Sequence, residues 1–208
     1  MTGEAKPDRL NGFSDAAFAV IITILVLELK PPQSPTLDAL VSLWPAAVSY
    51  AVSYLFVAIV WVNHHHLLRY AGSATPRLVW GNFAHLFAVS LIPLSTAWIA
   101  GTNLAALPVS LYAGVFVLVN GTYVLLCWEV VDRPSFAEVP SRARRIMYMR
   151  SLVTLGLFAT AALIALKNPV GGMALICLCL VVYVQPDAPG GVRLRRGGER
   201  WQRLRIGE

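Results

Sequence analysis

The side chains of this sequence that are best suited to do chemistry are concentrated in its first apolar stretch. That stretch holds a dense set of polar and ionisable residues, namely Arg9, Asn11, Ser14, Asp15, Thr23 and Glu28. Such residues are costly in an apolar environment and, by default, either perform a function or pair inside a helix bundle. One helical turn separates Asn11 from Asp15, so the two side chains share a face. The stretch is therefore the first candidate for a functional element.

An apolar stripe faces away from Asn11, Ser14 and Asp15. A helix turns about 100° per residue, which places Ala16, Thr23, Ile24 and Leu27 within about 60° of Val20. Phe13 lies on the same stripe. Two interpretations remain open at this point. The stripe either packs on neighbouring helices or lipid, with Asp15 an interfacial carboxylate that the helix dipole favours, or it is a functional surface.

Three adjacent histidines, His64, His65 and His66, raise the possibility of a metal site. Neighbouring residues on one helix point about 100° apart, so one helix cannot direct all three at one ion. The sequence also lacks a His-Glu-x-x-His pattern, and we expect no metal here. The favoured role is a polar tether to Asp15 or Arg9, with plain interfacial placement as the alternative. The three cysteines, Cys127, Cys177 and Cys179, are expected to be packing residues.

The elements that must position these residues are membrane helices. Hydrophobic residues make up 57% of the 208 and charged residues only 13%, against about 25% charged in soluble domains. This excludes a soluble enzyme, a disordered tail and a charged nucleic-acid-binding domain. A membrane helix needs about 20 mostly apolar residues. The sequence predicts an all-α integral membrane protein with six transmembrane helices, at 10–30, 40–63, 78–100, 107–128, 149–167 and 169–185.

The basic residues predict the orientation. With six crossings, all of the 17 Lys and Arg residues except Lys30 and Lys167 fall on one side. Because Lys and Arg near helix ends are retained in the cytoplasm, both termini are predicted to be cytoplasmic. Residues 1–186 would form the membrane domain. The segment 187–208 would be a basic cytoplasmic tail that either lies at the anionic inner leaflet or acts as a disordered solubilising tail.

A short motif suggests a family. The run from Arg9 to Asp15, Arg-Leu-Asn-Gly-Phe-Ser-Asp, resembles the Arg-x-x-x-Phe-Ser-Asp signature that opens the first helix of the transmembrane protein 175 family, the endolysosomal and prokaryotic potassium channels. The second helix ends in Trp-Val-Asn-His-His-His and the third begins Trp-Gly-Asn-Phe-Ala-His, both similar to the family's pattern. The resemblance covers roughly the first 130 residues. The last two helices match only in number and hydrophobicity.

The resemblance implies a passive potassium channel in the cell membrane, with a pore lined by the first helices of several subunits. No Thr-Val-Gly-Tyr-Gly filter occurs in the chain. Mapped by their spacing from the motif aspartate, the family's constriction positions correspond to Val20, Thr23 and Leu27, with Ile24 beside them. The helical wheel independently places these residues on one stripe. The motif would join the first helix to the next two through a network drawn from Arg9, Phe13, Ser14, Asp15, His64, His65, His66, Asn82 and His85. A pH effect on opening would follow if a histidine in this network titrates.

The resemblance further implies a homotetramer of single-repeat subunits. Its partners would be potassium ions, the lipid bilayer and further copies of the chain. We expect no nucleic acid, no enzymatic activity, and no cofactor beyond the permeant K+.

The main alternative is a secondary transporter or permease for a small solute, or a proton-leak pathway. Transporters usually show internal repeats and broken helices. This chain has one copy of the motif, and its first helix lacks Gly and Pro after Gly12, although Pro93 could kink the third helix. A membrane enzyme is less favoured, because no nucleophile with a paired base stands out.

Overall fold

The computed structural model describes residues 7–131 and 141–183, and all regular structure within them is helical. Both ends of the chain and the segment 132–140 lie outside the described residues, as does the predicted basic tail at 187–208. The helices, in chain order, are α1 (Pro7–Leu27), α2 (Leu37–Val41), α3 (Trp44–Leu68), α4 (Pro76–Ser90), α5 (Ile92–Gly101), α6 (Ala106–Val131), α7 (Ser141–Ala165) and α8 (Pro169–Tyr183).

Five helical stretches in the described part of the chain are long and apolar enough to cross a membrane, with α4 and α5 counted together as Pro76–Gly101. The sixth predicted segment is helical as α8, but its 15 residues extend only about 22 Å. That is less than the ~30 Å hydrocarbon core of a bilayer. The predicted all-α class and the approximate positions of the five long helices are confirmed. The sixth crossing stays a prediction.

The third predicted segment is two helices. Pro93 has no N–H to donate to the carbonyl of Val89, so the α-helical ladder stops there. The backbone N–H of Leu91 bonds the Ala88 carbonyl at 3.3 Å instead, and α5 starts at Ile92. The loop before α3 also contains the one-turn helix α2, which the hydrophobic pattern did not predict. Thr36 caps it by accepting a hydrogen bond from the N–H of Ala39.

The core lies between α1 and the helices α3 to α8. Phe56 of α3 stacks on Phe116 of α6 with ring centroids 3.7 Å apart, and Phe158 of α7 meets both rings edge on. The buried side chains of α1 that join this cluster are Phe18, Ile21 and Leu25. They fix α1 against α3, α4 and α5.

Helices α7 and α8 form a tight hairpin. Asn168 begins α8 by accepting a hydrogen bond from the N–H of Gly171 at 2.9 Å, the usual role of an N-cap residue. At Gly172 the two backbones approach closely: a Cβ there would lie 2.7 Å from the Ala165 Cβ and 3.0 Å from the Ala161 carbonyl oxygen. The Gly-Gly pair permits close packing of the last two helices.

Substituting Gly172 by Ala should destabilise this hairpin, because the added methyl group meets backbone atoms of α7 that cannot rotate away. We expect a loss of about 1–3 kcal/mol, read as a lower midpoint of thermal unfolding in detergent. Gly156→Ala is the matched control, because a Cβ at Gly156 meets nothing within 4 Å. Equal midpoints for the two variants would contradict the close packing.

Candidate functional site

Helix α1 has one buried face and one exposed face. The buried positions repeat at helical spacing and are Leu10, Ser14, Phe18, Ile21 and Leu25. The exposed stripe is formed by Arg9, Phe13, Ala16, Val20, Thr23, Ile24 and Leu27. Val20 is 56% exposed and Leu27 78%. Every member of the stripe predicted from the helical wheel is thus left uncovered by the described residues of this chain.

The Thr23 hydroxyl has a defined direction. It donates to the carbonyl oxygen of Val20, one turn earlier, at 2.7 Å. A hydroxyl has one proton and two acceptor lone pairs, so the lone pairs stay available at the exposed surface. Between the apolar side chains of Val20 and Leu27, Thr23 therefore presents an oxygen that can accept from water or contact a cation.

The opposite side of α1 is held by a buried polar anchor, which consists of Ser14, His64 and Asn82. The Asn82 amide Nδ2 donates to Ser14 Oγ at 2.9 Å, and Asn82 Oδ1 lies 2.6 Å from His64 Nε2. Because a carbonyl oxygen only accepts, Nε2 carries the proton and donates. The Ser14 hydroxyl donates to the Leu10 carbonyl at 2.9 Å. All three side chains are buried, and together they join α1, α3 and α4.

His85 extends this polar region to α6. Its ring is stacked on His64 with centroids 5.6 Å apart, and its Nδ1 lies 3.0 Å from Thr122 Oγ1. The Thr122 hydroxyl donates to its own helix, with the Val119 carbonyl at 2.9 Å, so the His85 Nδ1–H is the donor to Thr122. The other ring nitrogen, Nε2, is buried without a hydrogen-bond partner in the described structure. Thr122 was not among the residues predicted from the sequence.

Asp15 is held by a different partner. Its carboxylate Oδ1 accepts a hydrogen bond from the Trp61 indole Nε1 at 2.8 Å. Phe13, one position from the buried Ser14, faces outward and meets Phe83 of α4 edge on at 5.4 Å. Trp61 belongs to the family-like pattern at the end of the second predicted helix, but the sequence did not predict it as a network residue. It adds a direct hydrogen bond between α1 and α3, which the anchor joins only through Asn82 of α4.

The remaining predicted network residues lie apart from the anchor. Arg9 and His66 are exposed, and the ring of the half-buried His65 packs near Trp61 with centroids 5.7 Å apart. Only His64 of the three adjacent histidines points into the bundle, as the 100° rotation between neighbours requires. Within residues 7–131 and 141–183, no group of three His, Cys, Asp or Glu side chains could hold a metal ion.

Comparison with known proteins gives several matches. The family model described as endosomal/lysosomal potassium channel TMEM175 matches residues 9–93. A Chryseobacterium protein named a potassium channel is 37% identical over 118 residues, 57% of this chain and 62% of that relative. A Streptomyces collinus protein named a potassium channel is 30% identical over 177 residues, 77% of this chain and 84% of the relative.

A solved structure is also similar. It is a crystal structure of a lysosomal potassium-selective channel TMEM175 homologue from Chamaesiphon minutus, with a TM-score of 0.74 and 22% identity, over 86% of this chain and 96% of that one. At this identity the likeness shows the fold. The match over residues 9–93 begins at the arginine of the motif and covers α1, the anchor and the break before α5.

Proposed function

Because the chain belongs to the TMEM175 family of potassium channels, as its motif suggested, we propose that it conducts K+ passively through a pore lined by α1. The observation that carries the proposal is the two-faced packing of α1. One face is bonded to α3 and α4 through the anchor, and the other presents Val20, Thr23 and Leu27 without a covering element in the described chain.

Assembly completes the pore. A single α1 cannot enclose an ion path, so copies of the chain must bring their exposed stripes together around an axis. Closed cyclic symmetry is the common solution for identical subunits, and we propose four copies. Ala16 is exposed on the stripe, and small residues permit close approach between membrane helices.

In the assembled pore, equivalent stripe residues from the four copies form rings of two kinds. Rings of Val20 and Leu27, with Ile24 beside them, would narrow the path and exclude water unless the pore widens. The ring of Thr23 would offer hydroxyl oxygens that replace part of the hydration shell of K+. The inward donation of the Thr23 proton to the Val20 carbonyl supports this role, because it leaves the oxygen lone pairs for the ion.

For the topology we propose six crossings in the cell membrane, with both termini in the cytoplasm. In this arrangement α8 is the sixth crossing, Lys30 and Lys167 face outward, and the other basic residues remain inside. Residues 1–186 form the channel domain. The arginines of segment 187–208, which lies outside the described residues, favour contact with anionic lipid at the inner leaflet.

The test is ion flux from liposomes that contain the purified full chain. A channel releases K+ down its gradient without any second ion, whereas a coupled transporter requires one. Passive K+ flux that exceeds Na+ flux supports the proposal. Absence of flux, or flux that depends on a co-substrate, would overturn it.

The hydroxyl ring can be tested separately with Thr23→Val, which keeps the side-chain shape and removes the oxygen. We expect the potassium-to-sodium permeability ratio, measured as the reversal potential under opposed K+ and Na+ solutions, to fall by about fivefold or more. Thr160→Val is the matched control, because Thr160 is also exposed and donates to its own helix at the Gly156 carbonyl. An unchanged ratio in Thr23→Val would remove Thr23 from the selective site.

A further inference from the structure

Three buried hydroxyl groups join three helices well away from the motif. Ser53 of α3 lies 2.6 Å from Thr96 of α5 and 2.7 Å from Tyr112 of α6, each measured between hydroxyl oxygens. All three side chains are buried among apolar residues. Buried hydroxyls are costly unless they are hydrogen-bonded, so a cluster that bridges three helices fixes those helices relative to one another.

The hydrogen bonds in this cluster all donate in one direction, from Tyr112 to Ser53 and from Ser53 to Thr96. Thr96 donates to the Ile92 carbonyl of its own helix at 2.7 Å. Its proton is therefore used, and Ser53 must donate to Thr96, which leaves Tyr112 to donate to Ser53. The Ser49 carbonyl, at 3.5 Å from the Tyr112 oxygen, is too distant to compete. We call Tyr112, Ser53 and Thr96 the hydroxyl chain, and every one of its protons is satisfied.

The hydroxyl chain lies at the level of Thr23. In the proposed topology α1 and α3 are consecutive crossings and therefore run antiparallel, and Trp61 of α3 is bonded to Asp15 of α1. Ser53 precedes Trp61 by as many residues as Thr23 follows Asp15, so both positions are about 12 Å along the bundle from that bond. The two groups are on opposite sides of α1, because Thr23 is exposed while Ile21 and Leu25 face the core.

Helix α5 needs such a support. The α-helical hydrogen-bond ladder is interrupted at Leu91, between α4 and α5, so side-chain contacts contribute to the position of α5. It packs against α1, α3 and α6, and its Thr96 is hydrogen-bonded to Ser53 of α3 and, through Ser53, connected to Tyr112 of α6. The buried face of α1, opposite Thr23, therefore packs in part against α5. The position of α5 depends on the three hydroxyl groups of Ser53, Thr96 and Tyr112.

We propose that Ser53, Thr96 and Tyr112 are positioning residues for ion selectivity. This inference rests on the proposed function. The hydroxyl chain fixes α5, and α5 with α3 fixes the height and rotation of the α1 segment that carries Thr23. The distance of each Thr23 oxygen from the pore axis then stays within the narrow range in which a ring of oxygens favours K+ over Na+.

The experiment compares two substitutions at one position. Thr96→Val keeps the shape and removes the hydroxyl, and it should lower the potassium-to-sodium permeability ratio by about threefold or more, whereas Thr96→Ser should retain the ratio. The matched control is Ser95→Ala. Ser95 is also buried on α5 and donates to the same Ile92 carbonyl, at 2.9 Å, and in the described structure it makes no side-chain hydrogen bond to α3 or α6.

Tyr112→Phe provides a second variant, because it removes one oxygen from the start of the hydroxyl chain and leaves the ring in contact with Phe116, with centroids 4.5 Å apart. A reduced ratio in this variant supports the inference even where Thr96→Val fails to fold. A wild-type ratio in folded Thr96→Val or folded Tyr112→Phe overturns it. If Thr23→Val lowers the ratio and these variants do not, only this inference fails. If the unaltered chain shows no K+ flux, the proposed function fails and the inference with it.

Discussion

Substituting Val20 by Asn is expected to raise passive K+ flux through the reconstituted protein about tenfold, equivalent to a barrier lower by ~1.4 kcal/mol. The side chain is 56% exposed on the stripe of α1 that we propose lines the pore. A ring of valines offers water no hydrogen bonds, whereas a ring of amides hydrates the path and removes the dewetting barrier. The potassium-to-sodium ratio should fall in the same variant. Liposome flux and reversal potential measure the two effects.

Val26→Asn is the control for this experiment. Val26 is also a valine on α1 and is 48% exposed, but it lies about 120° around the helix from Val20. The same substitution there adds the same polarity away from the stripe and should leave flux near that of the unaltered chain. Unchanged flux and selectivity in Val20→Asn would remove Val20 from the constriction, and a similar gain in Val26→Asn would show that the effect is not local.

Substituting Asn82 by Leu should be the most destabilising change at the polar anchor. Asn82 bonds Ser14 and His64 at once, so its loss leaves the buried His64 N–H without its acceptor. We expect a loss of about 2–4 kcal/mol of unfolding free energy, measured by thermal or denaturant unfolding in detergent. Conduction should also fall, because α1 loses its hydrogen bond to Asn82 of α4 and, through Asn82, its link to His64 of α3.

The chain offers a second buried asparagine for comparison. Asn120 of α6 is buried, and its Nδ2 donates to the Phe116 carbonyl of its own helix at 2.9 Å. Asn120→Leu therefore removes a bond within one helix and leaves the contacts between helices unaltered, and we expect a change below about 1 kcal/mol. If both variants lose equal stability, the bonds between helices at Asn82 contribute little beyond the burial of an amide.

The exposed and buried faces of α1 were predictable from the sequence, because the spacing of its side chains determines which of them share a face once the segment is helical. The membership of the anchor was only partly predictable. Ser14 and His64 both lie within hydrogen-bond distance of Asn82 and His85 stacks on His64, while the role of these residues as a helix-tethering network stays a prediction. The other two histidines do not join them, because neighbouring helical residues cannot point the same way.

Other features depend on the register between helices, which one sequence does not specify. Ser53, Thr96 and Tyr112 are single polar residues on three separate segments, and their meeting requires the relative height of α3, α5 and α6. Thr122 is similar, since its partner His85 lies on another helix. Pro93 predicted a kink in the third segment. It did not predict that the segment would divide into the two helices α4 and α5. The role of Gly172 depends on where Ala165 comes to lie in the hairpin.

The two faces of α1 have different consequences for mutational tolerance. Changes at Phe18, Ile21 or Leu25 alter the folded subunit itself, so they should be visible to any screen for expression or thermal stability. Changes at Val20, Thr23 or Leu27 touch little of their own subunit and would pass such a screen while altering conduction. A library scored both for abundance and for potassium uptake would therefore separate the residues of one helix into two classes that alternate every three or four positions.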